Sequence, residues 1–371
     1  MAIRSSQRSE VDNARLRGLA AAYTERHTGM ENYVLSWKIA FGAIRRLGID
    51  PRGPRGRVAN LVLVAALLFG VPAAVAAATG EWSAAPLRTW ALVAALFGVL
   101  GAVIYAPLHA AIDDFLALHR LMADVAGLER LVAWERRWFS VRVSAPVASM
   151  FAAAMLGLLL ARVDQSRAPL DTGTVVVAAM LIYEVGEVLF TVIMLGIESR
   201  LLDRYDYDLF RLSPIDSVGL QRSMRGSNRL GLLVGLVATT IIVGFLVLLS
   251  DQAMLVGQIA LALLALAYVA TAFGVLLPRL AMKRIVLAEK ERELAPLQER
   301  LDELAGRLRG LTVDEEKELV RLRDMHEHIL RSGESVLPLS SVGQLVSSLI
   351  IPTITVALSQ AGREFILRLF R

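Results

Sequence analysis

The chain reads as an all-α, polytopic helical membrane protein: six transmembrane helices in three hairpins, then a cytoplasmic tail built as a helical hairpin or coiled coil. Three observations predict this. Runs without a single charge occur at 58–80, 89–112, 143–161, 230–250 and 252–278, and 174–197 is broken only by two glutamates. Each run is long enough to cross a hydrocarbon core of about 30 Å as a helix. None alternates apolar and polar faces as a surface helix of a soluble domain does. With 55% hydrophobic residues over 371 positions, the alternative of two or three soluble domains has no periodicity to support it.

Orientation follows from Lys and Arg. Residues 1–59 hold eleven, 111–143 five, 198–229 six and the tail from Arg279 fifteen, whereas the remaining connections hold only Arg88, Arg162 and Arg167. Positively charged loops stay inside, so the expected topology has the N-terminus, both long loops and the tail in the cytoplasm of a bacterial (inner) membrane. The first apolar run starts too late for a cleavable signal peptide, and the N-terminus is expected to be retained. The net charge of +5 comes from residues flanking the spans. Anionic lipid headgroups are therefore the expected partners of these cations, and nucleic acid is not.

Residues 1–57 form a basic N-terminal region. Within it, 32–47 has Tyr33, Trp37, Phe41 and Ile44 near one face, with Lys38, Arg45 and Arg46 placed to reach headgroups. Residues 58–279 hold the three hairpins, expected at 58–110, 143–197 and 230–278. The segment 128–139 repeats the interfacial style with Trp134 and Trp138, since an indole ring is apolar while its N–H needs a polar partner. Ordinary helix packing is the competing reading of both segments.

In 280–334, Leu294, Leu297, Leu301, Leu304, Leu308 and Leu311 recur every three or four residues as an a/d seam. Pro296 predicts a kink or restart. Gly310 predicts a stop, and Thr312 with Glu315 has capping-box spacing for a second helix over Val313–Arg331. A hairpin packed on itself is preferred to an oligomerising coil, although a homo-oligomer and a cytoplasmic protein partner on 280–371 both stay open. Residues 335–371 start with 28 uncharged positions, interrupted by Pro352 and carrying a stripe of Ser341, Gln344, Ser348, Thr355 and Ser359. A pore-lining or re-entrant helix, a surface helix and a docked cytoplasmic helix compete. The last two rank first, because a hydroxyl face against lipid is poorly satisfied.

Enzyme signatures are missing. There is no GxxxxGK[ST], GxSxG or HExxH, and no cysteine to supply a disulfide, thiolate metal site or nucleophile. The chain is expected to be neither an enzyme nor a cofactor protein. His326 and His328 are two apart on a helix, poor metal spacing. Asp203, Asp206 and Asp208 could hold a divalent cation, but Arg200, Arg204 and Arg211 interleave with them and favour an ion-pair face.

The chemistry concentrates in Glu184 and Glu187. Both lie in the fourth span, Glu184 about 15 Å down from Thr174 at 1.5 Å per residue, and at i, i+3 they share a face. Placing one charge there costs about 2.5–3.5 kcal/mol on insertion scales. Two carboxyls one turn apart in low dielectric are not both ionised cheaply, which is the chemistry of a proton or cation site. The expected site adds Tyr183, with Thr239 and Thr240 from span five and Tyr268 and Thr271 from span six. The bland reading is two protonated glutamates bonding helices together. Gly186 leaves room for a neighbouring helix, while Gly231 with Gly235 and the series Ala260, Ala267, Gly274 predict close packing. The expected function is a channel or transporter, proton- or cation-linked through the pair. The alternative is a non-transporting scaffold or sensor whose tail binds a partner. The lack of a broken helix pair favours the alternative.

Overall fold

Each long apolar run becomes one helix, and the helix ends sit where the sequence supplies breakers or caps. The computed structural model describes residues 18, 35–50, 53–166, 170–210, 213–249, 253–307, 312–331, 350 and 353–354. Within these, α1 spans Leu35–Arg46, α2 Pro54–Thr79, α3 Ala84–Phe115, α4 Val125–Trp138, α5 Val141–Ser166, α6 Thr172–Leu202, α7 Val218–Leu248 and α8 Ala253–Thr271. A π-helical segment, Ala272–Leu276, joins α8 to α9, Leu277–Ala305, and α10 is Val313–Arg331. The only β pairing among the described residues is an isolated antiparallel bridge between Met122 and Tyr207.

Proline at the first position starts α2, where a missing N–H is harmless, and Gly80 closes it at φ 76°. Asp171 caps α6 by accepting from the Thr174 amide at 2.8 Å. At the same end the Glu81 carboxylate accepts the Thr172 N–H at 2.6 Å, tying the first hairpin's turn to the start of α6. That bond holds Glu81 below the usual carboxylate range.

Among the described residues, six helices are long and apolar enough to cross a membrane, so the protein is a multi-pass helical membrane protein. The hairpins pair α2 with α3, α5 with α6 and α7 with α8, and α3 also packs along α7. Several helices outrun their apolar stretches. α7 begins at Val218, three turns before the uncharged run, and α3 continues to Phe115. The overhangs share a second core at the basic end, where Phe115, Leu116, Leu131, Leu220, Met282 and Ile285 are buried together. The main core, around Trp90, Leu181, Ile242 and Phe245, fills the other half of the bundle.

The sixth span does not stop at the membrane. α8, the π segment and α9 follow one another without a break over 253–305, about 80 Å at 1.5 Å per residue. Pro296 lies inside α9 rather than ending it. Helix α10 occupies the predicted residues, and its capping box is formed: the Thr312 N–H donates to Glu315 Oε2 at 2.8 Å and the Glu315 N–H to Thr312 Oγ1 at 3.4 Å. α9 and α10 pack as an intrachain hairpin, with Leu304 fully buried and Arg300 paired to both oxygens of Glu318. Leu308, Gly310 and Leu311 lie outside the described residues.

Of 335–371, only three residues are described. Thr353 Oγ1 lies 2.8 Å from Tyr268 Oη. Tyr268 is ten residues from the end of the uncharged run at Pro278, about 15 Å inside it. The contact places Thr353 beside the sixth span, where one hydroxyl satisfies another.

Candidate functional site

Helix α6 carries the site and is the most enclosed of the spans. Glu187 is fully buried and Glu184 half-buried. The Tyr183 hydroxyl, one turn before Glu187, donates to Glu187 Oε1 at 3.1 Å. Gly186 between them leaves room for α5: a Cβ there would come within 3.1 Å of the Ala148 backbone and 3.0 Å of the Phe151 ring. The Gly186 face of α6 is thus held against α5 rather than facing lipid.

Glu184 lines a cavity of about 270 Å³ enclosed by α2, α3, α6 and α7, reaching towards Phe115 and Phe139 at the basic end. The cavity sits where the two cores meet, taking Leu181 and Ile241 from one and Phe115 and Leu230 from the other. Its walls are almost wholly aliphatic and aromatic. The polar side chains among them are Asn60, Glu184 and Thr191, and Glu184 alone is ionisable among the described lining residues. Thr191 donates its hydroxyl to the Glu187 carbonyl at 2.9 Å, so its oxygen faces outward as an acceptor.

The four hydroxyls expected from spans five and six are placed differently from Tyr183. Thr239 donates to the Gly235 carbonyl, Thr240 to Leu236 and Thr271 to Ala267, each inside its own helix. A threonine in a low-dielectric helix has a carbonyl one turn back always within reach, which competes with longer-range partners. Tyr268 is on the outer face with Thr353. Thr271 immediately precedes the π segment, a local rewinding of a kind frequent at functional sites. There α6 and the π segment approach closely: a Cβ on Gly196 of α6 would lie 2.6 Å from the Phe273 carbonyl oxygen, and one on Gly274 would lie 2.8 Å from Val192. The predicted small-residue face of span six does pack, with Ala260, Ala267 and Gly274 all buried.

Two polar clusters at the basic end carry no motif. His119 Nε2 lies 3.2 Å from Glu198 Oε1, and both side chains are 1% exposed. Glu198 is fourteen residues after Glu184 with Thr191 midway, so all three share one face of α6, with about 21 Å between the carboxyls. The second cluster clasps α3 to α7. Asp113 accepts from Arg120 and Arg222, and Asp114 from Arg222 and Arg229, at 2.7–3.2 Å. Here a signal was present, since Arg222 and Arg229 are seven apart and thus on one helical face. His119 and Glu198 are 79 positions apart and no local pattern joins them.

Asp203, Asp206 and Asp208 do not converge. Asp203 pairs with Arg284 at 3.1 Å and Asp206 with Arg292 at 2.5 Å, both from α9, while the Asp208 backbone pairs with Leu121. No group of three or more potential metal-ligating carboxylates, histidines or cysteines occurs among the described residues. Asp203 and Asp206 thus take their ion-pair partners from α9 rather than from the interleaved arginines. Trp134 packs edge-on against Phe139, and Trp138 is exposed beneath the Arg137 guanidinium. Trp37 lies in α1, its side chain outside the described residues.

Comparison with protein-family models, with curated proteins and with solved structures finds no match for this chain.

Proposed function

We propose that the protein is a proton-linked membrane transporter whose exchangeable proton sits on the Glu184/Glu187 pair. The observation that carries the reading is Glu184 itself, an ionisable group lining an otherwise apolar cavity inside the bundle, with Glu187 one turn away and held by Tyr183. A carboxyl used only to bond helices has no need of a cavity beside it. An intramembrane carboxyl that exchanges protons or cations does. The cavity favours a carrier over an open channel, because a continuous hydrated path needs polar walls and these are apolar. Thr191 and the buried His119–Glu198 pair continue the same face of α6 towards the basic, cytoplasmic end and supply the inner terminus of the proton route.

A scaffold or sensor is favoured by one feature of the tail. Val313 and Val320, seven apart on α10, are 67% and 57% exposed, an apolar stripe open to a protein partner. The two readings separate on reconstituted protein. The transporter account expects proton flux that falls in Glu184→Gln and changes its pH dependence in Tyr183→Phe. A scaffold gives no flux, and Glu184→Leu with Glu187→Leu leaves it folded, more stable and functionally unchanged.

A further inference from the structure

We propose that α1 and the turn into α2 form a docking surface for anionic phospholipid in the leaflet at the basic end of the bundle. The inference goes beyond transport and does not depend on it. Level is the first argument. Ile44 of α1 is buried, packed on Ile49 and on Ala59 of α2. Ala59 is the second residue of the uncharged run 58–80, so α1 meets α2 where charge gives way to hydrocarbon. α1 also packs on α5. With 12 residues, about 18 Å, it is too short to be a further span.

The second argument is the division of its faces. At about 100° per residue, Ile39, Ala43 and Leu47 form a strip on one flank of Ile44, and Lys38 and Arg46 fall on the side away from it. Leu47 continues the last turn, its N–H donating to the Ala43 carbonyl at 3.3 Å. Ile39 and Leu47 are 56% and 73% exposed although neither belongs to a span. Lys38 and Arg46 are exposed too. One sector thus holds the bundle, one is apolar and one is cationic. A helix lying in the membrane surface needs that division, with its apolar strip in the acyl boundary and its cations at the phosphates. Charge is the third argument. Residues 35–57 hold six Lys or Arg against one acid, Asp50. That sign selects an anionic headgroup over a zwitterionic one, and the apolar strip selects a lipid over free phosphate.

The test uses the purified full chain in detergent with a tail-labelled fluorescent phosphatidylglycerol as probe. Competitors are unlabelled phosphatidylglycerol, phosphatidylcholine and inorganic phosphate. Expected are saturable binding, displacement by phosphatidylglycerol and little displacement by the other two, a comparison that needs no variant. Each cation near an anionic surface is worth about fivefold, so Lys38→Gln/Arg46→Gln should weaken binding by about tenfold or more. Ile39→Ser/Leu47→Ser should also weaken it, with the mass of the protein–detergent particle unchanged. Equal displacement by phosphatidylcholine or by phosphate, or unchanged affinity in the Lys38/Arg46 variant, overturns the proposal. A smaller particle from the Ile39/Leu47 variant, with phosphatidylglycerol binding intact, gives the strip to a second copy of the chain and overturns it as well.

Discussion

Glu187 and Glu198 are both buried carboxyls on α6, and they differ in what holds them. Glu187 takes a tyrosine hydroxyl from its own helix, whereas Glu198 takes a histidine from the segment after α3. The second is a tertiary contact and so bears on stability. Replacing His119 or Glu198 singly by leucine leaves the other polar group buried, at a cost of about 1–3 kcal/mol. The His119→Leu/Glu198→Leu double variant should recover much of that, and a double-mutant cycle on thermal unfolding in detergent measures the coupling. Glu315 behaves oppositely, being at the surface. The Thr312 N–H holds its carboxyl below the usual carboxylate range. A lowered folded value means that the cap's contribution is present above the unfolded value of 4.5 and is lost as pH falls through the folded one. Protection of the first-turn amides of α10, with the intrinsic pH dependence of exchange divided out, should therefore fall on acidification below that range, and Thr312→Ala should lower it at every pH where the cap otherwise holds. Sequence made Glu184, Glu187 and the Thr312–Glu315 box legible because each is defined within one turn of helix. The His119–Glu198 pair and the cavity wall were not, since they are assembled from segments far apart in the chain.

Between elements, the closest approach to a neighbouring backbone at a described glycine is that of α3 and α7. A Cβ on Gly226 would lie 2.3 Å from the Phe115 amide nitrogen and 2.6 Å from the Ala111 carbonyl oxygen, backbone atoms that move only with the helix. Gly226→Ala should destabilise the fold by about 1–3 kcal/mol or separate the helices. Gly157→Ala, in α5 with nothing within 4 Å, should be neutral or mildly stabilising, and thermal unfolding compares the two. The Asp113–Asp114 clasp reinforces the same crossing, and its ion pairs, partly exposed, add about 1 kcal/mol or less each. Span number and hairpin pairing were readable from uncharged runs. Helix ends were less so, because the polar overhangs of α3 and α7 are stabilised by each other and not by any apolar pattern of their own. The π segment likewise has no composition signal; it accompanies the tight approach of Gly196 and Gly274 in folded space.

Across the whole molecule, one rod runs from the sixth span through the π segment into the tail, and Arg284 and Arg292 pin it to Asp203 and Asp206 just after α6. The helix bearing the glutamates and the helix bearing the tail are thus joined at the basic end. Sidedness is open to direct measurement, since the chain has no cysteine to remove. Ser83→Cys, in the first hairpin's turn, should be labelled by an impermeant maleimide from outside intact cells. Glu293→Cys on α9 should be labelled only after lysis; the opposite pattern would invert the topology. The most direct test of the central claim is proton flux in proteoliposomes, wild type against Glu184→Gln/Glu187→Gln, at matched reconstitution. The account predicts pH-gradient-driven flux in the wild type that the double variant loses while remaining folded. Equal flux from both, or none from either across proton and cation gradients, would contradict it.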